Sequence, residues 1–374
     1  GDDRGATWPD GGWANETCIQ RGSIVTLPYK GDPLTPFEPS IPGTTRLAIE
    51  DVGLPEIPVQ PIGYAAATRI MAAMNGSLVE EAAWKGGLDV PYRLDGGDLQ
   101  LRLEVQQTRS LMETANVLGT IRGSEAPDDV VIVGCHHDAW GFGAADPLAG
   151  TIVLMETANA FAAALEQGIR PRRTVIFAAW GAEEFGIIGS SEWCEAQRER
   201  LGANGVAYIN LDMAAMGTNF RASASPSLQS AVIRAAGLVP QPGPDAGTVR
   251  EAWAGDRPTP RLGDLGGGSD HVGFLCHLCI PSISLGAGGS AGTSYHSNYD
   301  TLAWYRSTVG EDYDGALMVT RVCAALTADL ADAALLPIEP SAIARDLTTR
   351  LEQVGRAADS AGLIIDLAPL LEEL

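Results

Sequence analysis

Positive charge is scarce in this sequence, and so are long apolar runs. The 374 residues include 25 Lys and Arg against 47 Asp and Glu, which gives a net charge of −22. Such a surface repels polyanions, so nucleic acid is excluded as an expected partner. No uninterrupted apolar stretch approaches the roughly 20 residues that cross a bilayer. No membrane-spanning segment is therefore predicted within the chain.

A recognisable N-terminal signal is also missing. The chain opens on Gly1-Asp2-Asp3-Arg4, without Met and without a charged segment followed by an apolar one. We expect the chain to be part of a longer protein, so that any membrane anchor would lie outside it. Its composition, 45% hydrophobic and 19% charged, is typical of a folded domain with a sizeable core.

Cysteine is sparse, with six residues at irregular spacing, which does not indicate a disulfide framework. Cys276 and Cys279 form one CxxC pair that resembles half of a zinc knuckle. A tetrahedral site needs four ligands, and no second CxxC is present. The apolar residues around the pair favour a buried helix, and we predict a structural role.

The composition and the hydrophobic pattern of the sequence change near residue 111. Residues 1–110 are rich in Pro and Gly and predict an irregular lobe with short strands. From residue 111 onward, short apolar runs alternate with amphipathic runs, which predicts an α/β fold with a mainly parallel mixed sheet between helices. The predicted strands are 130–135, 174–180, 206–211 and 282–285, and the predicted helices are 149–166, 189–201, 227–237, 270–278 and 341–358.

Acidic and imidazole side chains follow these predicted strands, at the edge where an open parallel sheet binds ligands. They are His136 and Asp138, then Asp146 in a Gly-rich loop, Glu183 and Glu184, Asp212, and finally Tyr295 and His296. Mixed carboxylates and imidazoles suit a pair of zinc ions, because one carboxylate can bridge two metals. Each residue alone fits an ordinary surface or core role, and only their joint placement predicts a metal site.

Several motifs in this order resemble the glutamate carboxypeptidase II (N-acetylated alpha-linked acidic dipeptidase) family. That family shares its fold with transferrin receptor and belongs with the co-catalytic two-zinc aminopeptidases, whose zinc exopeptidase fold is phosphorylase/hydrolase-like. The similarity extends over nearly the whole chain. The motifs that carry it are Gly31-Asp32-Pro33-Leu34-Thr35-Pro36, Cys135-His136-His137-Asp138, Asp146-Pro147, Ala182-Glu183-Glu184-Phe185-Gly186, Tyr208-Ile209-Asn210-Leu211-Asp212 and Tyr295-His296-Ser297.

The resemblance implies a role for each matched residue. His136 and Asp212 would bind one zinc ion, Glu184 and His296 the other, and Asp146 would bridge them. Glu183 would be the general base. Asp138 would orient His136 by accepting its second ring N–H, and Tyr295 would donate a hydrogen bond to the developing oxyanion.

The resemblance also implies a calcium site and a substrate site. Thr35, Glu38, Glu192 and Glu195 fall at or near the family's calcium ligands, although they also fit an ordinary acidic surface. Arg221 matches one member of an arginine patch that favours acidic residues, but Ser284 and Gly286 replace the other two members. Gly268 and Ser269 lie in the matching substrate-lining loop, where Ser269 replaces an Asn.

Three segments are implied: the end of an apical lobe (1–110), a zinc peptidase domain (111–335) and the start of a helical dimerisation domain (336–374). The expected protein is an extracellular or cell-surface homodimeric carboxypeptidase that acts on small peptides. An aminopeptidase of the same fold is the first alternative, because the pocket that separates free amine from free carboxylate is not in view. A non-catalytic module like transferrin receptor, which lacks the metal ligands, is the second.

Overall fold

The computed structural model describes residues 5–24, 29–244 and 247–373. At its centre lies a six-stranded sheet in the order β1-β3-β2-β4-β6-β5. The four inner strands are parallel, and the two edge strands run antiparallel to their neighbours. The strands are β1 (Val117–Ile121), β2 (Ala126–His136), β3 (Arg173–Trp180), β4 (Gly205–Asn210), β5 (Asn219–Ala224) and β6 (Ser282–Gly288).

The inner strands are the four that the sequence predicts, and the edge strands β1 and β5 were missed. Helices cover both faces of the sheet, which confirms the predicted α/β class. They are α1 (Tyr64–Ala73), α2 (Leu148–Glu166), α3 (Ile188–Ala196), α4 (Arg198–Asn204), α5 (Gln229–Ala236), α6 (Val249–Ala254), α7 (Leu302–Thr308), α8 (Asp314–Asp332), α9 (Ser341–Ser360) and α10 (Ala368–Glu372).

Alternate residues of β2 face two separate apolar layers, as the period of a strand requires. Val131 and Val133 pack with α2, α5 and α8 on one side of the sheet. Ile132 packs on the other side with the aromatic residues Tyr208 and Phe274. A strand buried on both faces reads as a continuous apolar run, which is why the sequence reveals the inner strands.

Helix α2 is long and apolar enough, by length and composition alone, to cross a membrane. Thr151 and Glu156 interrupt its apolar residues, so the helix contains no long uninterrupted apolar stretch. Its buried residues, among them Val153 and Leu154, pack into the core beside the sheet. The helix begins two residues after Asp146, so its N-terminus fixes a candidate metal ligand.

The prediction of short strands in the N-terminal lobe is wrong for the residues that the structure describes. Between residues 5 and 110, apart from 25–28, only isolated bridges such as Leu78 to Arg93 occur. Prolines remove backbone donors, and most of these side chains are exposed, so a ladder has neither the hydrogen bonds nor the burial it needs.

Cys276 of the CxxC pair lies in a helical turn, as predicted, but Cys279 lies beyond it with φ 56°, and neither residue is buried. A π-helical turn spans Gly273–His277 and places Phe274 in the core, whereas Cys276 and Cys279 are both exposed. Helix α9 matches its predicted amphipathic segment. Its apolar residues Ile343, Leu347 and Val354 remain exposed on one stripe.

Candidate metal centre

The predicted ligands converge at the carboxyl edge of the parallel strands. His136 is the last residue of β2, and Asp212 follows the end of β4 by two positions. Glu184 lies in the loop after β3, and His296 lies in the loop between β6 and α7. Asp146 precedes α2, so five loops or strand ends contribute one candidate ligand residue each.

Asp146 lies between the two imidazoles. Its Oδ1 is 3.2 Å from His136 Nε2, and its Oδ2 is 3.2 Å from His296 Nε2. Asp212 Oδ1 lies 3.3 Å from His136 Nε2, and Glu184 Oε2 lies 3.1 Å from His296 Nε2. The result is two groups of three potential ligands that share Asp146.

Several buried polar atoms of this cluster lack a hydrogen-bond partner among the residues that the structure describes. They are His136 Nε2, Asp146 Oδ1 and Glu184 Oε1. A buried polar atom without a partner costs about 1–3 kcal/mol, more for a charged group. Cations placed between these atoms would remove that cost, so the donor set fits zinc.

The electrostatics of the cluster point the same way. Burial disfavours the charged form of His136, yet Asp138, Asp146 and Asp212 raise its pKa far above the ordinary value. Burial likewise opposes the charge of His296, but Asp146 and Glu184 raise its pKa to about 10. The carboxylates therefore stabilise positive charge next to both His136 and His296, and metal ions would supply that charge.

Each imidazole is held through its Nδ1 by a main-chain carbonyl. His136 Nδ1 lies 3.0 Å from the Asp138 carbonyl oxygen, and His296 Nδ1 lies 2.9 Å from that of Arg21. A carbonyl can only accept, so Nδ1 carries the proton and leaves the Nε2 lone pair for a metal. The expected acceptor for His136 was the Asp138 carboxylate, but its Oδ1 lies farther away, at 3.6 Å.

The Asp138 carboxylate instead supports the loop after β3. Its two oxygens accept the backbone N–H groups of Glu183 and Glu184, at 2.9 and 3.2 Å. Asp138 thus links His136 to both acidic residues of that loop. Hydrogen bonds to the ionised carboxylate lower its pKa, against the opposing effect of burial.

Glu183 stands beside the cluster but belongs to neither group of ligands. It is buried, and burial raises its pKa to about 9, with the negative charge of Asp270 adding to the effect. Tyr295 stacks on His296 with ring centroids 3.8 Å apart. Burial and the nearby carboxylates raise its pKa to about 12, so its hydroxyl stays protonated and able to donate.

Strained backbone lies beside three of the candidate ligands. His296 itself has φ 53°, Ala182 precedes the acidic pair with φ 57°, and Met213 follows Asp212 with φ 46°. Non-glycine residues adopt this region at a cost of order 1–3 kcal/mol each, and such residues collect at functional sites. The turns that aim these ligands are therefore maintained by the surrounding packing.

Asp300 was missed in the sequence, although it follows His296 by only four residues. Its carboxylate accepts the backbone N–H groups of Ala145 and Asp146, at 2.7 and 2.9 Å. These bonds fix the loop that carries the shared ligand. An acidic residue just before the N-cap Thr301 is a weak signal on its own, so only the fold reveals this contact.

We expect Asp300→Asn to weaken zinc binding about 10–100-fold, the usual effect of removing a partner that orients a ligand. One of its oxygens becomes an NH2 group, which cannot accept from the Asp146 loop. Competition with a chelator measures the affinity, and Asp256→Asn, at an exposed position, is the control. Unchanged affinity in Asp300→Asn would remove Asp300 from this role.

Of the predicted substrate residues Arg221, Gly268 and Ser269, Ser269 contacts a candidate ligand. Arg221, on the edge strand β5, is exposed and lies over Gly286 of β6, whose missing side chain leaves room for it. Gly268 is exposed, with open space around it. Ser269 is buried, and its hydroxyl donates to Asp212 Oδ2 at 2.8 Å.

The predicted calcium residues also come together, on the side of α3. Glu192 accepts the backbone N–H groups of Asp32 and Ser40, while Glu195 accepts the Tyr29 hydroxyl. The backbone N–H of Glu38 donates to the Thr35 carbonyl. Thr35 Oγ1 and Glu195 Oε2 are buried without a hydrogen-bond partner.

A parallel sheet with carboxylates and imidazoles at its carboxyl edge defines a metallohydrolase. The family model described as Peptidase family M28 matches residues 116–312, more than half of the chain. The chain belongs to peptidase family M28. This family membership, with the curated relatives, confirms the resemblance and the prediction of a zinc metallopeptidase.

Curated relatives match almost the whole chain. The probable glutamate carboxypeptidase LAMP1 of Arabidopsis thaliana is 34% identical, over 99% of this chain and 53% of its own length. The aminopeptidase NAALADL1 of Rattus norvegicus is 32% identical, over 98% and 52%. The chain thus spans about half the length of the curated relatives it matches. Among solved structures, a zinc aminopeptidase from Bacillus subtilis matches 59% of this chain and 51% of its own, at 20% identity and a TM-score of 0.46.

Proposed function

We propose that this chain carries the catalytic centre of a two-zinc exopeptidase that releases a terminal residue from small peptides. The observation that carries the proposal is the position of Asp146. Its two carboxylate oxygens face two different imidazoles, each of which has a further carboxylate beside it. A shared carboxylate between two half-sites is what a pair of metal ions requires.

His136 and Asp212 would hold one ion, Glu184 and His296 the other, and Asp146 both. When bound, the zinc pair would polarise the scissile carbonyl and make water acidic enough to react near neutral pH. A non-catalytic module like transferrin receptor predicts the loss of these ligands. All five are retained, and they lie within one cluster.

Glu183 is proposed to accept a proton from the attacking water and then deliver it to the leaving amine. Its carboxyl group is buried beside the candidate ligands and belongs to neither group of them, which suits a group that takes up a proton at one stage and releases it at the next. Its backbone is fixed by Asp138, so the carboxyl group can serve the proton transfer without joining the ligands. Tyr295 would donate a hydrogen bond to the carbonyl oxygen as negative charge develops there.

A carboxypeptidase is the preferred form, with an aminopeptidase as the second candidate. Both are supported, since relatives of similar identity are named a probable glutamate carboxypeptidase and an aminopeptidase. Arg221 would favour an acidic substrate, but Ser284 and Gly286 add no charge beside it. We therefore propose weak selection for acidic residues, carried by Arg221 alone.

The test measures zinc content and dipeptide hydrolysis in the full-length protein. We expect about two zinc equivalents and cleavage of a terminal residue. Dipeptides blocked at the N-terminus are cleaved by a carboxypeptidase, and those blocked at the C-terminus by an aminopeptidase. Folded protein that binds no zinc and cleaves neither set would end the proposal.

A calcium ion between Thr35, Glu192 and Glu195 is part of the proposal, with Glu38 contributing through its main chain. Burial raises the pKa of Glu192 to about 7, because it disfavours the charged carboxylate, and a bound cation would stabilise that charge. Thr35 Oγ1 and Glu195 Oε2 would become ligands of a hard cation that prefers oxygen.

Calcium should raise the melting temperature of the protein by a few degrees, because binding stabilises by about 2.7 kcal/mol at a ligand concentration of 100 Kd. Glu195→Gln should remove this shift, since it replaces a charged ligand. The exposed Glu199→Gln, one turn further along the chain, should retain it. An equal calcium shift in both variants would exclude Glu195 as a ligand.

Helix α9 is proposed to contribute to a homodimer in the full-length protein. Ile343, Leu347 and Val354 form an exposed apolar stripe on this helix. Burying such a stripe between two copies would gain about 25 cal/mol for each Å² of apolar surface removed from water.

A further inference from the structure

A chain of hydrogen bonds runs through the sheet and ends on one candidate zinc ligand. Trp180 Nε1 donates to the Tyr208 hydroxyl at 3.0 Å, and that hydroxyl donates to Asn210 Oδ1 at 2.9 Å. Asn210 Nδ2 donates to Ser269 Oγ at 2.9 Å, and Ser269 Oγ donates to Asp212 Oδ2 at 2.8 Å. No predicted role accounts for this arrangement.

The direction of the chain follows from its first donor. An indole N–H can only donate, so the Tyr208 oxygen accepts and its single proton goes to Asn210. The Asn210 amide oxygen accepts that proton, so its NH2 group points toward Ser269. The Ser269 oxygen accepts from this NH2 group, and its own hydroxyl proton is donated to Asp212. A flipped amide would require the Ser269 hydroxyl to donate to Asn210, and Asp212 Oδ2 would lose its donor.

Water has little access to these groups. Trp180 and Tyr208 are 0% exposed, Asn210 is 1% exposed and Ser269 is 7% exposed. The Tyr208 ring also stacks on Phe274, with centroids 3.9 Å apart and planes 6° apart. The chain is therefore anchored in the buried aromatic layer of the fold, where a hydrogen bond is stronger than in water.

The two half-sites differ because of this chain. One oxygen of Asp212 is occupied by Ser269, and the other lies 3.3 Å from His136 Nε2. Within the described part of the chain, Glu184 has no such partner on its side chain, since its Oε1 is buried and without a hydrogen bond. Asp212 is thus restricted to one ligand oxygen, whereas Glu184 can offer both.

We infer that Ser269 is a positioning residue, which holds Oδ2 of the Asp212 carboxylate and leaves Oδ1 free to bind a metal ion together with His136. The inference rests on the proposed function, and it replaces the substrate contact expected for Ser269. Three buried groups, Trp180, Tyr208 and Asn210, hold the Ser269 hydroxyl in turn. The loop that ends at Ser269 is thereby tied to the same half-site.

The test is stepwise zinc binding to the metal-free, full-length protein, followed by chelator competition. We expect Ser269→Ala to weaken one zinc equivalent about 10–100-fold and to leave the other unchanged. Ser269→Thr keeps the hydroxyl and should bind both equivalents as the unaltered protein does. Ser227→Ala, another buried serine that lies at the α5 end of the fold, is the control.

Melting temperatures establish that each variant is folded, and Ser269→Cys, with a weaker donor of similar shape, replaces Ser269→Ala if the latter does not fold. Unchanged binding of both equivalents with an altered KM would make Ser269 a substrate contact and overturn the inference. Equal weakening of both equivalents would overturn it too. Failure of the unaltered protein to bind zinc would instead reject the proposed function.

Discussion

Replacing Glu183 by Gln should lower kcat at least ~10²-fold while two zinc equivalents remain bound, the loss expected when a general base is removed. The carboxyl group is buried next to the five candidate ligands but belongs to neither group of three. The amide has nearly the same volume, so Asp138 can still accept the backbone N–H at position 183. Steady-state kinetics and zinc content measured on one preparation would check both parts.

Glu199→Gln makes the same chemical change on exposed α4 and should leave kcat unaltered. Two outcomes would contradict the proposed role. Full activity in Glu183→Gln would mean that another group moves the proton. Loss of zinc in parallel with activity would make Glu183 a ligand rather than a base.

Replacing Asp146 should have a larger effect on metal binding than replacing any other candidate ligand. Its two oxygens serve both half-sites, so Asp146→Ala should release both zinc ions and lower kcat/KM by about three powers of ten or more. His296→Ala removes a ligand from one half-site only and should lose one ion. Zinc content per folded chain, with melting temperature as the check on folding, measures the difference.

The comparison between these two variants carries the test. If Asp146→Ala and His296→Ala each lose one ion, Asp146 belongs to a single half-site and the bridging role is wrong. Asp256→Asn, at an exposed position, should keep both ions.

The sequence predicted the ligands at strand ends because the inner strands of the sheet are easy to recognise from their apolar runs. The inner strands are buried on both faces, so their apolar runs stand out, and His136 and Asp212 follow directly from where those runs end. Parallel strands place their carboxyl ends along one edge, which converts sequence position into spatial proximity. The bridging role of Asp146 was implied by the family resemblance and not by the strand pattern, since this residue lies ten positions beyond the end of β2.

The supporting contacts could not be predicted in this way. Asp300 and the Asn210–Ser269 pair act through hydrogen bonds that join distant parts of the chain, and no periodicity or spacing marks them. The edge strand β1 is mostly exposed, so it lacks the apolar signature of the inner strands. The lobe was misjudged because Pro and Gly spacing fits turns between strands as well as irregular chain.

The contact between His296 and Arg21 has a practical consequence for engineering. The two residues are 275 positions apart and are joined by two hydrogen bonds. The Arg21 carbonyl oxygen accepts from His296 Nδ1, and the Arg21 backbone N–H donates to the His296 carbonyl, so the Arg21 side chain takes no part. Changing the side chain at position 21 should thus leave the imidazole undisturbed. A truncated protein that starts after residue 24 would lose the hydrogen bond that fixes this ring. The zinc ion proposed for Glu184 and His296 would then have one ligand of undefined orientation.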